Sequence, residues 1–286
     1  MTSGQAQAPS LVIGANGCLG AAVRRVLAAR GVPALASGRD PASSIFVDLE
    51  ASPETWRLPP AEAGGVAFLL AARTNTAACE SDPEAAWRVN VQATLELARR
   101  LAGQGYFLVF ASSSQVFDGE RLLPSPDDAP NPVTVYGRHK AEIEARLRAE
   151  FPGQAAILRL AKVLDGAGGL VPRWVESLSR GQSVSAFDDM RMAPVTVAEA
   201  GEALVDAGHR PGIHHFSAAR DMTYYEAACL GARVLGADPS LVQAVACAGR
   251  GLFAPAHTCL RMDGAAPDPA AAVVFAFKQA QALVAA

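Results

Sequence analysis

A predicted buried strand, a glycine-rich turn and an amphipathic helix follow one another near the start of this 286-residue chain. The strand is "SLVIG" at 10–14, and the helix is "CLGAAVRRVLAAR", in which apolar residues recur every three or four positions. Glycines spaced by three residues permit a tight turn and a close backbone approach to a pyrophosphate at the helix N-terminus. This succession predicts a dinucleotide-binding fold. The loop residues predicted to bind the cofactor are Gly14, Asn16, Gly17, Cys18, Leu19 and Gly20.

Apolar runs alternate with helical patterns through the first 164 residues. Strands that are apolar on both faces predict a parallel sheet covered by helices on both sides. The fold class is therefore predicted as α/β, a Rossmann-type doubly wound parallel sheet with a smaller C-terminal substrate-binding lobe. Strands are predicted at 10–14, 32–37, 44–49, 65–72, 106–113 and 155–163, and the long helices at 83–102, with Asp82 as N-cap, and at 134–150.

Turn-rich stretches replace the regular alternation after about residue 164. Residues 1–164, with about 193–218, are predicted to form the dinucleotide-binding Rossmann domain, to which "GIHHFSA" adds one strand. Residues 165–192 and 219–286 are predicted to form the substrate-binding lobe and a C-terminal helix. Ligands of open α/β sheets bind at the carboxyl ends of the strands, which is where we expect this lobe.

The end of the second predicted strand, "ALASGRD", bears on the choice between NAD and NADP. A carboxylate there would hold a ribose 2′-hydroxyl and favour NAD, but Ser37 and Gly38 occupy that place and Arg39 follows. A guanidinium can pair with a 2′-phosphate, so NADP(H) is favoured over NAD, although Asp40 works against this preference. Asp48 is predicted either to hydrogen-bond the adenine amino group or to cap a turn. The remaining cofactor contacts on this side are predicted at Leu49, Ala71, Ala72 and Arg73.

The segment "VTVYGRHKAEIE" at 133–144 places Tyr136 and Lys140 four residues apart in a chain with three lysines and four tyrosines. Positions four apart are neighbours on a helix, and a nearby ammonium is expected to lower the pKa of a phenol. Such a phenol can give a proton to a carbonyl group during reduction. Three serines at 112–114 end the preceding strand, where a hydroxyl can donate to a substrate carbonyl oxygen. Serine, tyrosine, lysine and the nucleotide loop together predict a reduction site.

These motifs resemble the extended short-chain dehydrogenase/reductases, and within them the dTDP-4-dehydrorhamnose reductase-like sugar-nucleotide reductases. The stretches that carry the resemblance are "GANGCLG", "CESDPEAAWRVNVQATLELA", "SSSQVFDG", "VYGRHKAEIE", "RMAPVTVAEAGEAL" and "APAHTCLRMD". The resemblance implies that Tyr136 is the catalytic acid/base, that Lys140 binds the nicotinamide ribose and tunes Tyr136, and that Ser113 hydrogen-bonds the reacting carbonyl. It also implies that Asn90 supports the active-site helix and that Leu160 lies near the nicotinamide.

The resulting prediction is an NAD(P)H-dependent reductase of a nucleotide-activated keto-sugar. The substrate contacts are predicted at Ser114, Gln115, Arg173, Trp174, Arg191 and Arg261. Ser114 and Gln115 stand where the reductases usually carry Asp-Tyr, so the sugar stays open. A dehydratase is disfavoured because these two residues cannot supply its additional acid/base pair. Two alternatives remain: an NAD-dependent sugar-nucleotide epimerase, and a cofactor-binding regulatory subunit without turnover.

Composition narrows the classes of partner. The net charge is −3 and Lys/Arg residues form no block, so neither nucleic acid nor an anionic membrane surface is an expected partner. The N-terminal sequence lacks a signal-peptide pattern, and no apolar run approaches a membrane span. Five scattered cysteines indicate reduced thiols in a cytoplasmic protein, and the histidines show no metal-ligand spacing. By analogy with the superfamily, the helices at 83–102 and 134–150 would form the face of a possible homodimer.

Overall fold

The computed structural model describes residues 8–284. The strands in this range are β1 (Ser10–Ile13), β2 (Ala34–Ala36), β3 (Val66–Leu69), β4 (Phe107–Ser113), β5 (Ala155–Leu160), β6 (Lys162–Leu164), β7 (Val184–Phe187), β8 (Arg191–Met192), β9 (Pro194–Thr196), β10 (Gly212–Phe216), β11 (Met222–Thr223) and β12 (Val242–Val245). The helices are α1 (Cys18–Ala29), α2 (Thr76–Ser81), α3 (Pro83–Trp87), α4 (Thr94–Gly103), α5 (Val135–Glu150), α6 (Val171–Ser179), α7 (Val197–Asp206), α8 (Tyr224–Val234) and α9 (Pro269–Val284).

Six parallel strands form the main sheet in the order β10-β5-β4-β3-β1-β2. β1 lies between β2 and β3, with Leu11 beside Leu35 on one neighbour and Ala67 on the other. The strand order therefore reverses at β1, and a crevice opens at the carboxyl ends of strands on either side of such a switch point. The Rossmann-type fold predicted from the sequence is confirmed, and "GIHHFSA" supplies the edge strand β10 as predicted.

The strand predicted at 44–49 does not form. Its only described ladder contact is one parallel bridge between Gly38 and Phe46. Phe46 and Val47 are buried, but Asp48 turns the chain at once, because its carboxylate accepts a hydrogen bond from the backbone N–H of Glu50 at 3.0 Å. The apolar run is therefore anchored to the core through its side chains without becoming part of the sheet.

The long helix predicted at 83–102 begins as expected and then changes its winding. Asp82 caps it by accepting a hydrogen bond from Ala85 N at 3.0 Å. Between α3 and α4, residues Arg88–Ala93 form a π-helical turn, in which the Thr94 hydroxyl donates to the carbonyl of Val89 at 3.1 Å. Such turns occur frequently at functional sites. The short helix α2, capped by the Asn75 side chain, was not predicted.

The described residues pack into two compact units, each with its own apolar core. The first comprises the chain up to Val116 with Pro132–Arg159 and Gly201–His214, and the second comprises Phe117–Asn131, Leu160–Ala200 and the chain from His215. The predicted dinucleotide-binding domain, 1–164 with about 193–218, contains most of the first unit and stays a prediction. Within residues 8–284, no helix combines the length and apolarity needed to cross a membrane.

Candidate active site

A cavity of about 440 Å³ lies in the first unit around the glycine loop. Every loop residue predicted to bind the cofactor lines it, as do six of the later predictions. The lining residues foreseen from the sequence are Gly14, Asn16, Gly17, Cys18, Leu19, Gly20, Arg39, Asp48, Leu49, Ala71, Ala72 and Arg73. Those not foreseen as contacts include Ala15, Ser37, Val47, Glu50, Leu70, Thr74 and Val89.

The glycine loop is built by backbone contacts that a side chain would block. Gly14 has φ +82°, and a Cβ placed there would lie 2.9 Å from the backbone N of Ala71. A Cβ on Gly20 would lie 2.2 Å from the carbonyl oxygen of Gly14. Among the described side chains none caps the start of α1, whose first turn also carries no acidic residue. The helix dipole at this end of α1 therefore favours an anion such as a pyrophosphate.

Ser37 and Arg39 follow the end of β2 and have different surroundings. Ser37 contacts the glycine loop, whereas Arg39 lines the cavity. Ser37 is buried, and its hydroxyl accepts a hydrogen bond from Gly14 N at 3.3 Å, so it braces the glycine loop. Arg39 is exposed and lines the cavity. Asp40 turns its carboxylate to the backbone N–H of Ala42 at 2.9 Å and is not among the lining residues. The arginine, rather than the neighbouring acid, thus faces this cavity.

One arginine and two acidic residues, Arg73, Asp48 and Glu50, also line the cavity. Asp48 caps its own turn and lines the cavity as well, so the two readings of this residue are compatible. Glu50 forms a 2.9 Å ion pair with Arg73, and both residues line the cavity. Both partners are well exposed, which makes this pair a weak contributor to stability.

Asn90 fixes the loop that follows β3. Its side-chain oxygen accepts a hydrogen bond from Arg73 N at 2.7 Å, and its amide nitrogen donates to the carbonyl of Arg73 at 3.0 Å. Asn90 is 2% exposed and lies in the π-helical turn, where the altered winding directs it inward. Its amide also donates to Cys79 Sγ on α2 at 3.9 Å, so its described hydrogen bonds go to Arg73 and Cys79 and not to α5, the helix that the resemblance suggested it supports.

The start of α5 lies closely against the end of β4. Thr134 caps the helix through Gly137 N at 2.9 Å, and the Glu80 carboxylate accepts a hydrogen bond from Val135 N at 2.7 Å. A Cβ on Gly137 would lie 2.1 Å from the carbonyl oxygen of Gln115, so only glycine permits this approach. This packing sets the positions of Tyr136 and Lys140, the two predicted catalytic residues of α5.

Tyr136 and Lys140 are both buried at the carboxyl end of β4. Lys140 donates from Nζ to the carbonyl oxygen of Ala111 at 2.7 Å. Its Nζ lies 4.4 Å from the ring centre of Phe110 and 5.6 Å from that of Tyr136. Ser113 ends the same strand, half-buried, and its hydroxyl accepts a hydrogen bond from Gln115 N at 3.2 Å. The end of β4 therefore holds Ser113 and the ammonium of Lys140, and the Tyr136 ring lies near that ammonium.

Burial controls the protonation of this pair. It lowers the pKa of Lys140 to about 8, and the carboxylate of Glu144 opposes that change. Burial, followed by the field of Cys79, raises the pKa of Tyr136 above its usual range. The expected lowering of the Tyr136 pKa by Lys140 is therefore wrong for this arrangement, because removal from water outweighs an ammonium that is engaged with Ala111. Tyr136 carries its proton at neutral pH.

The predicted substrate residues occupy different environments. Trp174 is 4% exposed and belongs to the apolar core of the second unit, where it stacks on Phe277 with ring centres 6.2 Å apart. This placement argues against its predicted substrate contact. The side chain of Gln115 accepts a hydrogen bond from the Thr134 hydroxyl at 3.2 Å, whereas Ser114 is half-buried. The second unit holds Leu160, buried at the end of β5, and the exposed Arg173, Arg191 and Arg261.

Two features of the site had no separate signal in the sequence. Val89 reaches the cavity wall through the π-helical turn, whose winding depends on tertiary packing. Glu144 and Arg159 form a buried ion pair beside Lys140, yet each resembles an ordinary surface charge in the sequence. Among the described residues, no group of three or more histidine, cysteine or acidic side chains is arranged to hold a metal ion.

Comparison with known proteins agrees with this geometry. A model of the family described as the RmlD substrate binding domain matches residues 9–265. The chain belongs to this family. The predicted membership of the extended short-chain dehydrogenase/reductases, in the dTDP-4-dehydrorhamnose reductase-like group, is confirmed, and with it the prediction of an NAD(P)-dependent oxidoreductase of this type.

Three relatives illustrate the range of the similarity. The chain is 30% identical over 240 residues to the probable dTDP-4,6-dihydroxy-2-methyloxan-3-one 4-ketoreductase of Streptomyces antibioticus, covering 82% of this chain and 79% of that protein. It is 32% identical over 237 residues to methionine adenosyltransferase 2 subunit beta of Danio rerio, covering 77% and 71%. The structure of dTDP-4-dehydrorhamnose reductase from Bacillus anthracis in complex with NADP is similar in fold, with TM-score 0.77, 19% identity and coverage of 96% and 99%.

Proposed function

We propose that this protein is an NADPH-dependent reductase of a nucleotide-activated keto-sugar. The observation that carries the proposal is the burial of Tyr136 and Lys140 together at the end of β4, in the unit whose glycine loop lines the cavity. The Streptomyces relative is named as a ketoreductase, which supports reduction of a sugar carbonyl. Arg173, Arg191 and Arg261 are exposed, and we keep them as predicted contacts of a substrate diphosphate, for which guanidinium groups are suited.

The residues present fit a nicotinamide dinucleotide. Residues of α1 would receive its pyrophosphate at their backbone N–H groups, and the small Ala71 and Ala72 leave room for a ribose. When bound, NADPH supplies the hydride for the carbonyl carbon. Tyr136 holds the proton that the carbonyl oxygen receives, and Ser113 would donate a hydrogen bond to that oxygen. The ammonium of Lys140 would hold the nicotinamide ribose and stabilise the phenolate that remains.

Arg39 is the residue that we expect to make the protein bind NADPH more tightly than NADH. Replacing it by glutamine removes a cation that can pair with a 2′-phosphate, so the Kd for NADPH should rise by about tenfold. The Kd for NADH should stay within about twofold, since its ribose carries no phosphate. Tryptophan fluorescence titration with each cofactor measures both values.

A matched control for Arg39→Gln is Arg25→Gln, because Arg25 is also an exposed arginine but lies outside the cavity. This control should change neither Kd. An equal rise of both Kd values in Arg39→Gln would show that Arg39 does not read the 2′-phosphate.

The test of the proposed activity is a loss of NADPH absorbance with a panel of keto-sugar nucleotides. The panel varies the base and the position of the carbonyl group, with Tyr136→Phe as the control for non-enzymatic oxidation. Turnover with at least one member by the wild-type protein alone is the expected result. Interconversion of sugar epimers without net NADPH consumption would instead identify an epimerase.

A second candidate function is a regulatory subunit that binds the cofactor without turnover. The similarity to a protein named as a methionine adenosyltransferase subunit favours it, since that relative is as similar as the ketoreductase. The intact set of Ser113, Tyr136 and Lys140 argues for catalysis. Tight NADPH binding without turnover on the whole panel would favour the regulatory role.

The remaining assignments extend the same proposal. We place the reaction in the cytoplasm, because Cys79, Cys229, Cys247 and Cys259 are thiols in the structure. We retain the predicted homodimer through the faces of α3–α4 and α5, to be tested by light scattering. The predicted dinucleotide-binding and substrate-binding domains are tested by limited proteolysis, which should cut between them before it cuts within either.

A further inference from the structure

A buried ion pair lies one helical turn beyond Lys140 on α5. Glu144 is 2% exposed, and Arg159, on β5, is 0% exposed. The guanidinium of Arg159 donates to both carboxylate oxygens of Glu144, at 2.7 Å from Nη2 to Oε2 and 3.1 Å from Nε to Oε1. Ser112 on β4 donates its hydroxyl to the same carboxylate. A single carboxylate thus connects α5 to two strands of the sheet.

The position of this ion pair says more about its function than its contribution to the stability of the fold does. Burying two charges removes them from water, and apolar residues of similar volume often stabilise a fold equally well. Here, however, Ser112 directly follows Ala111, the acceptor of the Lys140 ammonium. The contacts Lys140–Ala111 and Glu144–Ser112 therefore fasten adjacent positions of one strand to adjacent turns of one helix.

We propose that Glu144, held by Arg159 and Ser112, is a positioning residue that acts on the reduction site through Lys140. Its carboxylate holds the inner face of α5 against β4 and provides the negative charge that keeps the buried ammonium protonated. This inference rests on the proposed function, in which Lys140 binds the cofactor ribose and stabilises the phenolate of Tyr136. It assigns a role to a charged pair that touches neither the cavity nor the reacting atoms.

The electrostatics agree with the geometry. Burial lowers the pKa of Lys140 to about 8, and Glu144 is the charge that raises it against this effect. Since α5 neighbours several elements, other charges must be considered. The charged or titratable groups on the elements packed against α5 are Cys79 and Glu80 on α2, Glu84 on α3, Arg88 on the π-helical turn, Glu96, Arg99 and Arg100 on α4, and Arg159 on β5, with none on β4; α5 itself adds Tyr136, Arg138, His139, Glu142, Arg146, Arg148 and Glu150.

Most of these charges are engaged with one another at the surface. Arg88 pairs with Glu84, and Arg100 pairs with Glu96. Arg99 pairs with Glu150 at the far end of α5. Loss of the Glu144 charge therefore removes the principal attraction on the ammonium and leaves its desolvation unopposed, so Lys140 should lose its proton at a lower pH.

The experiment follows the protonation of Lys140 directly, by NMR of protein labelled with carbon-13 at lysine Cε. The chain contains three lysines, and the exposed Lys162 and Lys278 provide reference signals. In the wild-type protein the buried lysine should titrate with a midpoint of about 8. In Glu144→Gln this midpoint should fall by about one pH unit. The pH at which the rate of NADPH oxidation falls on the alkaline side of its pH profile should also move to a lower value.

Ser112→Ala is the matched control, because it removes a hydrogen bond to Glu144 and leaves the charge in place. Its midpoint should fall by less than that of Glu144→Gln, because the carboxylate keeps its charge and its ion pair with Arg159. The double variant Glu144→Gln/Arg159→Met replaces the pair by neutral groups of similar volume; its midpoint should lie below that of the wild-type protein but above that of Glu144→Gln, because the repulsion from Arg159 is lost together with the attraction from Glu144. The lysine titration of this double variant still tests the inference if Glu144→Gln alone does not fold.

An unchanged Lys140 midpoint in either variant would overturn the inference, even if the unfolding temperature fell, because a purely structural role lowers stability alone. A different outcome is expected if the proposed function, and not this inference, is wrong. In that case the lysine midpoint falls in both variants as expected, while the wild-type protein reduces no keto-sugar nucleotide.

Discussion

Tyr136→Phe should bind NADPH as the wild-type protein does and lose turnover by about a thousandfold, the usual size of a general-acid contribution. The ring is buried against Cys79, Ala86 and Val135, so phenylalanine fills the same space. Only the hydroxyl is lost. Because burial raises the pKa of Tyr136, the wild-type residue enters the reaction protonated, in the form needed to reduce a carbonyl.

The matched control is Tyr106→Phe, which also removes one hydroxyl from a buried tyrosine. Tyr106 is 1% exposed, and its hydroxyl makes only long bonds of 3.3 Å to the carbonyls of Pro59 and Pro60. Turnover of this variant should stay within about twofold of the wild-type value. A Tyr136→Phe enzyme that retains about a tenth of the wild-type kcat would place the proton donor elsewhere.

Lys140 sets the direction of the pH dependence. Reduction needs a protonated Tyr136 and a charged Lys140, and the lysine has the lower pKa of the two. Turnover should therefore be constant near neutrality and fall as the pH rises through about 8, where Lys140 loses its charge. A fall that occurs only below neutral pH would contradict this assignment.

Local patterns in the sequence predicted the parts of this site that depend on local backbone geometry. The predicted glycine loop lines the cavity, since a strand, a turn and a helix dictate the spacing of Gly14, Gly17 and Gly20. The helix predicted at 134–150, which carries Tyr136 and Lys140 four residues apart, is α5 (Val135–Glu150). Neither prediction required knowledge of residues that are distant in the chain.

Features that depend on distant partners were missed or misread. The π-helical turn at Arg88–Ala93 arises within a pattern that reads as one regular helix. The burial of Glu144 requires Arg159 and Ser112, which lie on other elements. A surface charge and a buried charge look alike in a sequence, because the sequence shows the residue and not its partner.

Trp174 shows a different kind of error. Val171, Trp174, Val175 and Leu178 follow the i, i+3, i+4, i+7 spacing of a buried helix face, and all four are buried in the second core. That spacing predicts packing more strongly than a neighbouring arginine predicts a substrate contact. An aromatic residue in such a register is best assigned to the core first.

Gly20→Ala should destabilise the protein by roughly 2 to 3 kcal/mol and weaken NADPH binding by about a hundredfold or more. The added Cβ would lie 2.2 Å from the carbonyl oxygen of Gly14 and 2.7 Å from Cα of Ala15. Both obstacles are backbone atoms, so α1 must move away from β1. That movement displaces the N–H groups which are expected to receive the pyrophosphate.

Gly103→Ala is the matched control for this change, because Gly103 also lies in a helix and a Cβ there meets nothing within 4 Å. Alanine should leave NADPH binding unchanged and stabilise the helix by up to about 1 kcal/mol. Urea unfolding and fluorescence titration of the two variants separate the contact at Gly20 from the general effect of replacing a helical glycine. If Gly20→Ala matched the wild-type protein in both measurements, close packing of α1 on the glycine loop would not be what shapes the cofactor site.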